Sequence, residues 1–420
     1  MLNRTLRSVV PVGSLQLGLP FAMICMLFTL SAHSDVLTLH FEDIEKLLAS
    51  GSPKAESVET EFLLFGAQRN LETQWSNPTL SFDLEDSESA SEWQVTLGKH
   101  FTRPFSQSDL RNGWRDRMQS AELTRSRDSQ VLLSEMQEGY IRLRLLDEHL
   151  DKLSDLKDLI STASSAASSM QEEGVLSGNS EALIQLTAFT LDSEFRDVQG
   201  KRQRSDAVWR SVMGIETDLS LVLATPIKFE PVKLSPADEY LANLLDHPRL
   251  QAQALNARGL TRLAEAHGNT LLADIELYAG YKQFEGDVSG LVAGVSFALP
   301  TFHQYASEGR IYEAQGRLLE NELAILQIRM KEEIGSLTFL IENAQPTLLD
   351  MSSRFDSDPP LAESLFYSYR EGSISMDTFL NGIQILASSM EAYYRDLEEY
   401  YMNILRLESI TGTELIPVTS

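Results

Sequence analysis

The chain has 420 residues, with 61 acidic against 35 basic side chains and a formal charge of −26. That balance argues against nucleic acid as a partner, because a polyanion repels it, and it favours cations along any channel the surface lines. A single cysteine, Cys25, excludes a disulfide framework.

Arg4 and Arg7 precede an apolar stretch that is densest over 15–30, and "SAHS" follows it. Residues 1–34 are therefore expected to form a secretory signal peptide, cleaved after Ser34, with an uncleaved membrane anchor as the alternative. Ile24 is too large for the residue before a lipidated cysteine, so Cys25 is expected to carry no lipid. Loss of this segment removes Arg4, Arg7 and the cysteine and takes the charge from −26 to −28. Beyond it no run of 18 apolar residues occurs, so no transmembrane helix is expected. Such a secreted chain is periplasmic, extracellular or a β-barrel of an outer membrane.

Each half reads helix, hairpin, long helix, turn, helix. "TLSFDLE" (79–85) alternates Leu80, Phe82 and Leu84 with polar residues, and Trp93, Val95 and Leu97 alternate in a second strand over 93–101. From about 106 to 172 there is no proline, and Leu132, Met136, Tyr140, Leu143, Leu146, Leu150, Leu153, Leu156 and Ile160 recur every 3.5 residues or so, a coiled-coil spacing. A continuous helix of that length measures about 100 Å. Small residues over 172–180 turn the chain, and the next helix stops at Gly214. Residues 218–236, with Pro226, Pro231 and Pro236, read as a linker.

The plan then repeats. Strands are expected at 274–282 and 291–299, and a helical hairpin over 304–411 whose seam holds Ile311, Leu318, Ile325, Met330, Ile334, Leu337 and Ile341. "EEGVLSGNSEALIQL" and "REGSISMDTFLNGIQ" lie 198 positions apart, and the same offset joins Gly214 to Gly412 and Glu216 to Glu414. The division is a first repeat over 35–217, the linker, a second repeat over 237–415, and a tail over 416–420.

Period-two strands of about nine residues suit a membrane barrel. Trp75, Trp93, Phe101, Phe105, Tyr281, Phe284 and Phe302 cluster near the strand ends and would form interfacial girdles. A small soluble sheet capping a helical bundle is the other reading. Four strands cannot close a barrel, whose smallest members have about eight, and open sheet edges are not tolerated in lipid. If the strands enter a membrane, several chains must share one barrel. No catalytic signature stands out. His40, His100, His149, His247, His267 and His303 are scattered without ligand spacing, and there is no phosphate-cradling or dinucleotide glycine pattern and no Gly-x-Ser-x-Gly. Tyr140 and His149 read as packing or surface residues. No enzyme activity, cofactor or metal site is expected.

Several segments together resemble the outer membrane efflux protein family, the TolC-like channel-tunnels. "NPTLSF" (77–82) looks like the family's lead-in to its first strand. "LVAGVSFALPTFHQYASEGRIYEAQGRL" (291–318) looks like its last strand, a Leu-Pro-x-Phe exit and a long helix. "YREGSISMDTFLNGIQIL" (369–386) is similar to its Tyr-x-x-Gly-x-x-Ser turn, and "YYMNILRLESITGTEL" (400–415) to its closing segment. The resemblance spans roughly residues 40 to 415 and looks closest to the heavy-metal (cobalt–zinc–cadmium) branch. It implies a mainly helical fold with a small β part and a homotrimer whose twelve strands form an outer-membrane barrel on a long periplasmic α-barrel. The implied role is a passive exit duct of a tripartite efflux system in a Gram-negative bacterium. The implied partners are a periplasmic adaptor and an inner-membrane pump of the RND type.

Under that resemblance Gly174, Val175, Leu176 and Ser177, and Arg370, Gly372, Ser373, Ile374 and Ser375, form the adaptor-docking tips. The family's two acidic gate positions fall on Thr378 and Asn381, with Asp377 one residue away, so the gate departs from the family pattern. Asp377 and Asn381, one helical turn apart, are the candidate pore constriction, with Thr378 beside them. Drug efflux and type I protein secretion are alternatives within the channel class, and a soluble periplasmic coiled-coil adaptor or structural protein is the alternative outside it.

Overall fold

The computed structural model describes residues 36–49, 52–87, 90–172, 178–215, 219–242, 244–268, 274–284, 288–298, 304–355 and 360–416. The expected signal peptide, the first tip (Gly174, Val175, Leu176 and Ser177), Phe302 and Leu299 lie outside these residues.

The first half runs β1 (Val36–Leu39), α1 (Asp43–Ala49), α2 (Pro53–Thr73), β2 (Thr79–Ser87), β3 (Ala90–Thr102), α3 (Gln107–Glu172) and α4 (Gly178–Met213). The second runs β4 (Ser220–Leu223), α5 (Ala237–Ala242), a short 3-10 turn (Leu244–Asp246), α6 (Pro248–Gly268), β5 (Asp274–Gln283) and β6 (Ser289–Phe297), then α7 (Gln304–Phe355), α8 (Leu361–Arg370) and α9 (Met376–Thr411). The chain is mainly helical with a small β part. Both α4 and α9 have 36 residues, and both their first and last residues lie 198 positions apart. Gly214 and Gly412 close them with φ of 71° and 69°.

Helix α3 is one rod of 66 residues. Along it Leu132, Met136, Tyr140, Leu143, Leu153, Leu156 and Ile160 are buried against α4, α9 and the strands β1 and β4. Tyr140 and His149 are thus interior residues. The Tyr140 hydroxyl donates to the Leu39 carbonyl at 3.2 Å and accepts the Thr225 N–H at 2.9 Å.

Three expectations change. The supposed linker over 218–236 holds β4, which pairs in parallel with β1, so it opens the second half as β1 opens the first. The proline-rich run that follows is pinned by side chains: Tyr400 donates to the Glu230 carbonyl at 3.0 Å and accepts the Val232 N–H at 3.1 Å, and Gln345 donates to the Val232 carbonyl at 2.8 Å. The second helical hairpin is not two continuous arms over 304–411. Its first arm divides into α7 and α8, with Pro360 at the N-cap of α8, whereas Pro346 is accommodated inside α7. Of its expected seam, Met330, Ile334, Leu337 and Ile341 are buried, but Ile311, Leu318 and Ile325 are exposed. Periodicity marks an apolar face; it does not say that the same chain covers it.

Helix α6 lies between α3 and α7. Gly113 and Gly259 bring α3 and α6 together so closely that a Cβ on Gly259 would sit 2.8 Å from the Gly113 carbonyl oxygen. Ser120 donates to the Ala252 carbonyl at 2.6 Å across the same seam, and Arg258 and Arg262 both reach buried Asp116.

A four-stranded sheet and a helical tip

The strands β2, β3, β5 and β6 form one antiparallel sheet in that order, so β2 and β6 are its outer edges. The register sorts side chains cleanly. Leu80 faces Leu97, Phe82 faces Val95, Val95 faces Tyr281, Leu277 faces Val295 and Ile275 faces Phe297. Directly paired residues share a face, so one face is almost wholly apolar. It is also open: Leu80, Phe82, Leu97, Leu291 and Val295 are 58–90% exposed. The other face carries Asp83, Glu85, Glu92, Asp274, Glu276, His100 and Lys282. On it Lys282 pairs with Glu92 at 2.7 Å and His100 with Asp274 at 3.3 Å.

Aromatic rings mark both ends of the apolar band. Trp93 packs on Tyr281 at 5.7 Å and on Phe82 at 6.3 Å near the hairpin loops, while Trp75 meets Phe101 edge-on at 5.2 Å where the strands join the helices. Trp93 and Phe101 are eight residues apart on β3, about 26 Å along a strand. Among the described residues Lys99 is the one cation on the apolar face, and its ammonium turns back to donate to the Ser76 carbonyl at the helical end.

Arg103 holds the joint between β3 and α3. Its φ of 47° is left-handed, unusual outside glycine. Its guanidinium reaches Glu308 at the start of α7, and Glu308 also meets His267 Nδ1, at the end of α6, at 3.2 Å. Burial, aided by the nearby Arg103 charge, lowers the His267 pKa. Sequence reasoning missed this cluster, since its members lie 41 to 205 positions apart.

The second tip is described in full. Gly372 has φ of 74°, a conformation that costs glycine little. The Ser373 N–H donates to the Ser368 carbonyl and the Gly372 N–H to the Tyr369 carbonyl, both at 2.9 Å, a Schellman closure of α8. Ser375 then caps α9, its hydroxyl accepting the Thr378 N–H at 3.2 Å. The turn is braced from inside by Tyr369 stacked on Phe379 at 5.3 Å. Arg370, Gly372, Ser373 and Ser375 are exposed, and Ile374 is half-buried. Asp377, Thr378 and Asn381 are exposed on α9, while Met376, Phe379, Leu380 and Ile383 face the core. Thr378 belongs to the cap, since its hydroxyl lies 2.9 Å from that of Ser375. Asp377 and Asn381 share one exposed face.

Among the described residues no helix is long and apolar enough to cross a membrane, and no group of three or more His, Cys, Asp or Glu is placed to hold a metal.

No family model and no curated protein sequence matches the chain. Solved structures do. CusC is 12% identical, with 92% of this chain and 96% of CusC aligned at a TM-score of 0.69. The Campylobacter jejuni outer membrane channel CmeC is 11% identical, with 89% and 85% aligned at 0.70. The Vibrio cholerae outer membrane protein VceC is 15% identical, with 89% and 96% aligned at 0.69. The chain has the fold of these outer-membrane proteins over almost its whole described length.

Proposed function

We propose that this chain is the outer-membrane channel-tunnel of a tripartite efflux system. It is a passive exit duct that acts as a homotrimer with a periplasmic adaptor and an inner-membrane pump of the RND type. The observation that carries this reading is the four-stranded sheet, apolar and exposed on one face, charged on the other, with both outer edges open. In lipid an open edge leaves backbone groups without partners, at several kcal/mol each. Three copies, joined β6 to β2, give a closed twelve-stranded barrel with its apolar face to lipid. A soluble coiled-coil adaptor would instead hold Leu80, Phe82, Leu291 and Val295 in water. The solved outer-membrane channels of the same fold support the location in a Gram-negative outer membrane, with the helices in the periplasm.

In such a barrel Asp83, Glu85, Glu92, Asp274 and Glu276 face the lumen with Lys282 and His100, an acidic lining that suits metal cations as cargo. Drug or protein export would place less demand on that charge. At the far end Arg370, Gly372, Ser373, Ile374 and Ser375, with Gly174, Val175, Leu176 and Ser177 of the first tip, are the surfaces for the adaptor. Asp377 and Asn381 line the narrow end, with Thr378 fixing the turn beside them. The test is the native mass of the protein extracted in detergent from isolated outer membranes. A trimer is the expected result; a monomer recovered from the soluble periplasm would end the channel reading.

A further inference from the structure

A cavity of about 390 Å³ lies between α3, α9, the end of α7 at Phe355 and the start of α8 at Pro360–Glu363. That is within the range of small-molecule sites, roughly 300–1,000 Å³. We propose that this cavity binds an amphipathic organic cation, an aromatic or alkyl body carrying one permanent positive charge.

Its inner wall is apolar. Leu156, Leu386 and Met390 are buried along it. Two aromatic rings at the site are held from behind: Tyr394 stacks on His149 at 4.9 Å, and Phe355 meets Tyr393 edge-on at 5.2 Å. Ring faces fixed in this way attract a cation brought within about 6 Å. Among the described residues the mouth carries Asp155 and Asp158 from α3 and Glu363 from α8, all exposed, and the cation Lys152. An apolar floor under three carboxylates and one ammonium selects a greasy cation over its neutral or anionic analogue. Burial, with the nearby Lys201 charge, holds His149 at a pKa of about 4, so the imidazole behind Tyr394 is neutral near pH 7 and adds no opposing charge.

The interruption beside the site belongs to the second half alone, although α3 of the first half supplies one wall. Carried back by the 198-residue repeat, the break falls on 158–162, where α3 runs unbroken and itself forms a wall of the cavity. It does not depend on the channel reading, because binding is measured on the purified chain.

The experiment is equilibrium binding of tetraphenylphosphonium and of its anionic isostere, tetraphenylborate, to the full chain held in amphipol rather than detergent. The cation is expected to saturate at one per chain and to bind at least tenfold more tightly than the anion. Replacing Asp155, Asp158 and Glu363 together by Asn, Asn and Gln should remove most of that preference, since these exposed positions carry no core packing. Ala362→Phe, which fills the cavity, should abolish binding of both ions. Equal affinity for the two ions, or cation binding unmoved by the triple variant, overturns the proposal.

Discussion

Helices α2 and α6 occupy the same place in the two halves. Each has 21 residues, begins at a proline and leads into a β hairpin. Yet α6 buries Leu250, Ala252, Ala257, Gly259, Leu260, Leu263, Ala266 and His267, and α2 buries nothing. Leu63, Leu64 and Leu71 stand 59–84% exposed on it. The two helices have equivalent neighbours on only one side. Helix α6 lies between α3 and α7, whereas α2 packs on α3, with only a marginal contact to α4. The helix that would complete its surroundings is an α7, and α7 has a bare face of its own at Ile311, Leu318 and Ile325. One chain therefore contains one finished helix sandwich and two halves of another. Those halves adjoin β2 and β6, the two open sheet edges. The proposed ring of copies would complete sheet and helices at the same seam.

Breaking the ring through the sheet should have the largest effect. Leu97 lies on the apolar face midway between the Trp93 and Phe101 belts. Leu97→Arg places a charge in hydrocarbon at about 2–4 kcal/mol per copy near the midplane, incurred in every copy of the ring. The expected outcome is loss of the detergent-resistant oligomer from outer membranes, read by native electrophoresis. Normal assembly would mean that this face does not meet lipid.

The contrast between α6 and α2 predicts opposite behaviour for two leucines. Leu263 is wholly buried, so Leu263→Ala should cost about 2–5 kcal/mol whatever the assembly state. Leu64→Ala should leave the isolated chain unchanged and weaken only the oligomer, by roughly 1–3 kcal/mol. Urea unfolding of the oligomer and of a dissociated chain separates the two. Equal effects would mean that α2 has no partner.

The seam can be sharpened to a residue pair. Leu64 stands as far into α2 as Gly259 stands into α6, and Gly113 carried forward by 198 positions is Ile311. The close approach of Gly113 to Gly259 therefore maps onto Ile311 of one copy against the partner subunit's Leu64. If cleavage after Ser34 leaves the chain without cysteine, Leu64→Cys and Ile311→Cys together should form a single disulfide between copies. Linked dimers and trimers on a non-reducing gel are expected; a link within one chain, or none, would displace the register.

How much of this was readable beforehand varies with the range of the interactions. The seam from Leu132 to Ile160 was legible because helix packing repeats locally, and the strand faces because alternation is local too. Strands β1 and β4 were not, since "VLTL" and "SLVL" are four residues each and become strands only by pairing across 184 positions. The α7–α8 break had a plain signal in Pro359 and Pro360, outweighed by the apolar rhythm on either side. Ile311, Leu318 and Ile325 carried the right pattern for a contact that one chain does not contain. The tip residues were legible as a turn from Gly372 and Ser375. The docking role proposed for them rests only on family resemblance, because a Schellman closure and a serine cap serve any helical hairpin equally well.

The smallest effect should lie at that tip, furthest from the lateral seam. Ser375→Ala removes the hydroxyl that accepts the Thr378 N–H, a capping loss of about 1 kcal/mol. It should fray the first turn of α9 without dissociating the ring, because α2 and α7 are untouched. Asp377→Ala should cost little stability, about 0.3–1 kcal/mol, since the side chain is exposed and contributes mainly through its place in the first turn of α9. It removes a carboxylate in every copy from the face shared with Asn381. If that face lines the constriction, single-channel recordings should show a lower preference for cations over anions, while Ser375→Ala alters conductance only through the loosened turn. Unchanged conductance and selectivity in Asp377→Ala would turn this face of α9 away from the pore. The proposed lateral seam would be unaffected, because it rests on α2, α6, α7 and the sheet edges β2 and β6, not on α9.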